Sequence, residues 1–153
     1  MNIVNEMRLD FPALAKNEAL ARLVISAFML PVNPTLEQLA DVKTAVSEAV
    51  TNSIVHGYRT QASGTVCLHA MLYDDMSLVV EIIDRGCGIP DIEQARQPFF
   101  TTREDEERSG MGFTVMESFM DEVQIASRPN RGTTVRMTKQ LQAREGERIA
   151  HMA

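Results

Sequence analysis

Glu48 and Asn52 stand four residues apart inside a stretch of helical period, so both project from one helix face about one turn apart. They lie at the polar margin of the stripe formed by Val42, Val46 and Val50. A carboxylate there can orient a hydroxyl or a water, and a neutral amide oxygen can complete a Mg2+ shell that is otherwise phosphate and water. Taken alone, the pair reads more simply as a solvated Glu and Asn on an amphipathic helix.

Asp84 closes an apolar run and is followed by Gly86 and Gly88. Glycines let a flat ring come close to the backbone, and an aspartate at a strand end can accept a hydrogen bond from an exocyclic amine. A tight strand exit in which Asp84 serves its own turn accounts for the glycines equally well.

Ser109, Gly110 and Gly112 precede a short helical pattern from Phe113. Glycines at a helix mouth leave N–H groups open to an anion, and the helix dipole favours phosphate charge; a hinge followed by an N-cap fits the same residues. The pattern is neither a P-loop nor a Rossmann turn, since it lacks the GxxxxGK[ST] lysine and the GxGxxG spacing. Arg103 and Arg108 stand close enough in sequence to meet terminal phosphate charge, although Glu104 to Glu107 make a solvated charged loop an alternative. Thr101 and Thr102 have hydroxyls that can reach phosphate or merely favour extended backbone. Cys87 has only Arg85 nearby to lower its pKa and reads as a small filler.

The elements that must carry these groups follow from periodicity. Asn5 to Phe11 alternates as a strand. Lys16 to Leu30 has apolar residues at helical spacing and is stopped by Pro31 and Pro34. Thr35 and Gln38 have the spacing of a capping box, opening a helix whose buried stripe runs until Gly57. Val66 to Leu72 and Leu78 to Ile82 alternate as a hairpin through Tyr73-Asp-Asp-Met76. Asp91 to Arg108 is charged, with little periodicity and one apolar island at Pro98-Phe-Phe100, as in a functional lid. Phe113 to Met120 reads as a helix, and Val123 to Arg128 with Thr133 to Lys139 as a second hairpin. Hairpins rather than helical crossovers join the later strands, so the expected fold is an α/β two-layer sandwich, a mostly antiparallel sheet with helices on one face.

At 153 residues one domain is expected, over 1–141, with a polar tail from 142 to 153 that frays. The formal net charge of −6 argues against a direct nucleic-acid surface. Cys67 and Cys87 are too few for a disulfide scaffold, and with His56, His69 and His151 they make no metal-ligand spacing, which suits a reducing cytoplasm. The sequence shows no secretory leader and no membrane-length apolar run, and the ten methionines suit core filling.

The order of these patches resembles the Bergerat ATP-binding superfamily shared by gyrase, histidine kinases and MutL. Within it the chain closely resembles the anti-sigma F serine kinases of sporulating bacilli, nearly throughout up to about Lys139. The residues that carry this are Val46-Ser-Glu-Ala-Val-Thr-Asn52 with His56-Gly-Tyr58, Gly88-Ile-Pro-Asp-Ile-Glu93, Ala95-Arg-Gln-Pro98, Phe100-Thr-Thr102, Glu107-Arg-Ser-Gly-Met-Gly-Phe-Thr114, Phe119-Met-Asp-Glu-Val123 and Gly132-Thr-Thr-Val135. The resemblance implies ATP and Mg2+ as cofactors, with Glu48 as catalytic carboxylate and Asn52 as magnesium ligand. It implies Asp84 as adenine-amine acceptor supported by Thr133, and Gly86 and Gly88 as the adenine turn. Thr101, Thr102, Arg108, Ser109, Gly110 and Gly112 would line the phosphates, with Arg108 also stabilising charge during transfer. Arg22 matches the position that contacts sigma factor and antagonist. The implied activity is phosphorylation of an anti-anti-sigma protein on serine, by a homodimer that otherwise holds sigma factor F away from RNA polymerase. A non-catalytic ATP-dependent switch, a kinase of a related stress-response pathway and a histidine-kinase catalytic domain are the alternatives. The last is disfavoured because no helix bearing an acceptor histidine precedes the site.

Overall fold

The computed structural model describes residues 1–58, 63–96 and 112–144. β1 (Ile3–Pro12) leads into α1 (Asn17–Met29), a 3-10 turn (Leu30–Val32) and α2 (Leu36–Asn52). After a π turn (Ser53–Gly57) come β2 (Thr65–Tyr73), β3 (Ser77–Asp84), the short α3 (Ile92–Ala95), α4 (Gly112–Phe119), β4 (Glu122–Arg128) and β5 (Gly132–Gln140). The five strands form one sheet in the order β1-β2-β3-β5-β4. Every neighbouring pair is antiparallel.

Alternation along the strands selects the buried face. Val66, Leu68, Ala70 and Leu72 of β2, Leu78, Val80 and Ile82 of β3, and Val135 and Met137 of β5 pack into one core with Ile25 of α1, Val42 and Val46 of α2, and Met116 of α4. Helices therefore cover this face, and the expected α/β sandwich is present. Ile82 has no exposed surface, so its truncation to Ala would cost about 2–5 kcal/mol. On the opposite face Glu6, His69, Glu81 and Arg136 form a row across four strands, joined by His69 Nε2 to Glu6 at 2.6 Å, His69 Nδ1 to Glu81 at 3.0 Å and Arg136 to Glu81 at 3.3 Å.

Local differences from the sequence reading have identifiable causes. β1 starts at Ile3 because pairing with β2 extends it, and a register shift between Ile3 and Asn5 breaks the alternation that placed its start at Asn5. Thr35 caps α2, accepting the Gln38 N–H at 3.1 Å. The reciprocal half of the capping box is not made: the Gln38 amide donates to the Gln140 carbonyl at 3.0 Å and accepts from the Gln142 N–H at 2.9 Å. Within the tail expected to fray from Gln142, residues 142–144 are held, the Arg144 N–H and Nε donating to the Asn33 and Pro34 carbonyls, each at 3.0 Å, and residues 145–153 lie outside the described residues. The segment from Asp91, expected to be irregular, contains α3, because the Asp91 carboxylate caps it by accepting the Gln94 N–H at 3.0 Å. Most of the expected lid lies outside the described residues.

Candidate nucleotide site

Glu48 and Asn52 lie on α2 as expected, both half-buried, and Asn52 is the last residue of the helix. Beyond it the backbone widens into the π turn, closed by the Tyr58 N–H donating to the Ser53 carbonyl at 2.9 Å. This one-residue insertion, a feature that recurs at functional sites, directs Ser53 and Gly57 toward the end of β3.

Asp84 is that end. The residue is only 5% exposed, and its carboxylate accepts the Gly86 N–H at 2.9 Å. The Ser53 hydroxyl and the Thr133 backbone N–H donate to it as well, and burial nevertheless pushes its pKa above the ordinary carboxylate value. Thr133 lies directly opposite Asp84 in the β3–β5 ladder. Its hydroxyl is 2.9 Å from the Ser127 hydroxyl, which also accepts the Ile89 N–H at 2.7 Å. Ser127 therefore ties the outgoing glycine turn to the second hairpin.

The turn itself is packed too tightly for side chains. A Cβ on Gly86 would lie 2.1 Å from the Gly57 carbonyl oxygen, and Gly88 holds a φ of +77°, a conformation open mainly to glycine. Cys87 does more than fill space: its N–H donates to the Gly57 carbonyl at 2.8 Å and its thiol to the His56 carbonyl at 3.1 Å.

The third patch closes the constellation. Gly112 opens α4 against the last turn of α2, where an added Cβ would meet the Asn52 amide at 2.8 Å. The missing side chain lets the start of α4 close directly onto that amide. The structure thus brings together Asn52, Gly112, Asp84, Gly86, Gly88 and Thr133 around the joined ends of α2 and β3, with Glu48 one turn back on α2. Thr101, Thr102, Arg108, Ser109 and Gly110 lie outside the described residues. Arg22 lies apart on α1, its side chain 44% exposed and paired with Glu18 at 3.4 Å. Glu18 in turn accepts from the Ser47 hydroxyl, next to Glu48.

Ser53, Tyr58 and Ser127 belong to this arrangement and were not among the sequence candidates. Ser53 directly follows Asn52 and was open to discovery as the next polar residue of the helix end. Ser127 gives no local signal, because only strand pairing brings it to Thr133.

A donor-held carboxylate at a strand end and a half-buried amide at a glycine helix mouth suit the amine of a base and a phosphate-bound cation respectively. The described residues contain no cluster of three or more His, Cys, Asp or Glu suited to a metal. Among the described residues, Asn52 is the group that would hold a cation here.

Residues 11–139 match the histidine kinase-like ATPase domain family model. The chain is 51% identical to the anti-sigma F factor of Bacillus subtilis (strain 168) over 137 residues, covering 90% of this chain and 93% of that protein. It is also 51% identical to the anti-sigma F factor of Thermoanaerobacter sp. (strain X514) over 141 residues, covering 92% and 97%. Among solved structures it superimposes on that of the RsbU and RsbW domains of a Mycobacterium tuberculosis protein with a TM-score of 0.65 at 21% identity, covering 92% of this chain and 34% of that longer one. The mycobacterial sensor histidine kinase MprB gives a TM-score of 0.57 at 15% identity, covering 90% and 99%. These two similarities concern the fold.

Proposed function

Because this chain belongs to the histidine kinase-like ATPase family, and within it to the anti-sigma F factors, we propose that it sequesters sigma factor F and uses MgATP to phosphorylate the antagonist of that complex on serine. It is an anti-sigma factor built on an ATP-binding domain of kinase type. The observation that most supports the finer reading is the meeting of Asn52 with Gly112 on one side of the joined α2 and β3 ends, and of Ser53 and Gly57 with Asp84 on the other.

In this reading Asp84 accepts the amine of adenine, Thr133 supports it and the Gly86–Gly88 turn borders the base. Asn52 holds Mg2+, which supplies charge neutralisation on the phosphates. Gly112 lets the mouth of α4 pack against Asn52, and Thr101, Thr102, Ser109, Gly110, Gly112 and Arg108 are assigned to the phosphates from sequence. Glu48 orients the serine hydroxyl of the antagonist and receives its proton as the oxygen bonds to the γ-phosphorus and the bond from that phosphorus to the bridging oxygen breaks, releasing ADP. Phosphoryl transfer demands mainly positioning and charge neutralisation, so an ordinary carboxylate suffices.

Arg22 is assigned to the docking of both protein partners from the family resemblance, and its exposure on α1 is compatible with that role. The same layer supports a homodimer: β1 is a sheet edge, and Ile3, Val4, Leu20 and Leu23 expose apolar surface beside it. Residues 1–141 act as one unit in this account. Among the described residues no helix is long and apolar enough to cross a membrane, and the cytoplasm, where sigma factor and polymerase meet, is the proposed location. Incubation with γ-labelled ATP and the purified antagonist tests the activity. Label recovered as phosphoserine on the antagonist supports the kinase reading, and stoichiometric ATP binding without transfer would replace it with a nucleotide-dependent switch.

A further inference from the structure

The π turn after α2 and the glycine turn after β3 are laced together at several points, and one of them runs through a side chain that the activity does not account for. Tyr58 accepts the Arg85 N–H on its hydroxyl oxygen at 2.6 Å. The same hydroxyl donates to the carbonyl of Thr65, the first residue of β2, at 2.7 Å. Its ring packs so closely on Gly64 that a Cβ there would lie 2.5 Å from ring carbons. The ring is thus held from beneath, while its tip bridges Thr65 and Arg85, just beyond the Cys67–Ile83 pair that ends the β2–β3 ladder.

Arg85 lies between Asp84 and Gly86, whose N–H holds the Asp84 carboxylate. Fixing the Arg85 N–H fixes the Asp84–Arg85 peptide plane, while the Gly86 N–H of the next plane holds the carboxylate itself, and the two together set the direction in which that carboxylate points. The Tyr58 N–H also closes the π turn that delivers Ser53 and Gly57 to the same carboxylate. One residue therefore sets two of the approaches to Asp84.

We propose that Tyr58 is a positioning residue for base recognition: its hydroxyl locks the strand-end turn so that Asp84 presents its acceptor to an adenine amine. This rests on the reading of Asp84 as the base acceptor. It predicts a selectivity role as well as an affinity role. Guanine carries a carbonyl where adenine carries the amine, so a well-aimed carboxylate discriminates against it, whereas a loosened one loses part of that discrimination.

The test is equilibrium titration of ATP and GTP into the wild-type protein and Y58F, with kcat and KM for antagonist phosphorylation and a thermal melt of each. Loss of the two hydrogen bonds of the Tyr58 hydroxyl is expected to weaken ATP binding by about fivefold to tenfold. The ATP-to-GTP preference should narrow by a similar factor and kcat at saturating ATP should hold. Where Y58F is too unstable to titrate, G64A carries the test: the added methyl must displace the ring while retaining the hydroxyl, and the same narrowing is expected. Unchanged ATP affinity, or equal loss for ATP and GTP with a lower melting temperature, would show that Tyr58 acts on the fold alone and overturn the proposal. Wild-type protein that does not bind ATP would overturn the reading of Asp84 and this inference with it. Wild-type binding with an unaffected Y58F would overturn only the inference.

Discussion

The strand-end of β3 and the β1–α1 layer treat their chemical groups in opposite ways. At the strand end, Ser53, Asp84 and Thr133 are buried, and their polar atoms find partners within the chain. An unpaired buried carboxylate would be costly, so this end is organised before any ligand arrives. In the β1–α1 layer, β1 has an unpaired edge and Leu23 is 68% exposed on α1. Exposed edges and apolar stripes are finished by another chain or by aggregation. In the proposed reading this difference is a division of labour, with nucleotide recognition assigned to the interior of the subunit and protein recognition to the surface left incomplete.

The sharpest way to break that comparison is to remove the chemistry without disturbing either region. Glu48→Gln should lower phosphorylation of the antagonist by about 10²–10⁴-fold, with ATP affinity unchanged in a direct titration. An active Glu48→Gln protein would remove the catalytic assignment while leaving the base end intact. Next in size is the surface layer. Leu23→Glu should weaken self-association by roughly tenfold to a hundredfold, as expected for a leucine buried between subunits, and ATP binding should be unaffected. Light scattering across a dilution series reads this directly; an unchanged dimer would move the interface elsewhere.

The smallest effect concerns pH. Because the folded-state pKa of Asp84 is raised above its unfolded value, the folded protein binds the extra proton more tightly between the two values. Stability should therefore rise slightly as pH falls through the folded pKa, and the burial cost of the charge is felt in full above it. ATP affinity should move in the opposite direction, since protonation weakens the acceptor. Asp84→Asn should flatten both trends, which denaturation and titration from neutral pH down toward the ordinary carboxylate range would reveal.

Periodicity located the long strands and helices because each buries one face: the alternation of Val66 to Leu72 and the stripe through Val46 are the core itself. It missed α3, whose four residues are too few to show a period, although Asp91 and Gln94 carried the capping signal. It extended α2 to Gly57, since an inserted residue in a π turn leaves apolar composition unchanged. Asp84, Gly86 and Asn52 were legible from residue type and order. Tyr58 and Ser127 were not, because their work is done through contacts with backbone far away in sequence, at Arg85 and Ile89. Cys87 shows the same limit, its donation to the His56 carbonyl being invisible until the π turn is placed.

Calorimetric titration of MgATP into the wild-type protein and Asp84→Asn tests the central claim most directly. One site per chain in the wild type is predicted, with affinity falling roughly tenfold or more in the variant, as for loss of a hydrogen bond to a charged acceptor. Absence of heat with the wild type, or identical binding by the two proteins, would contradict a base site built on Asp84.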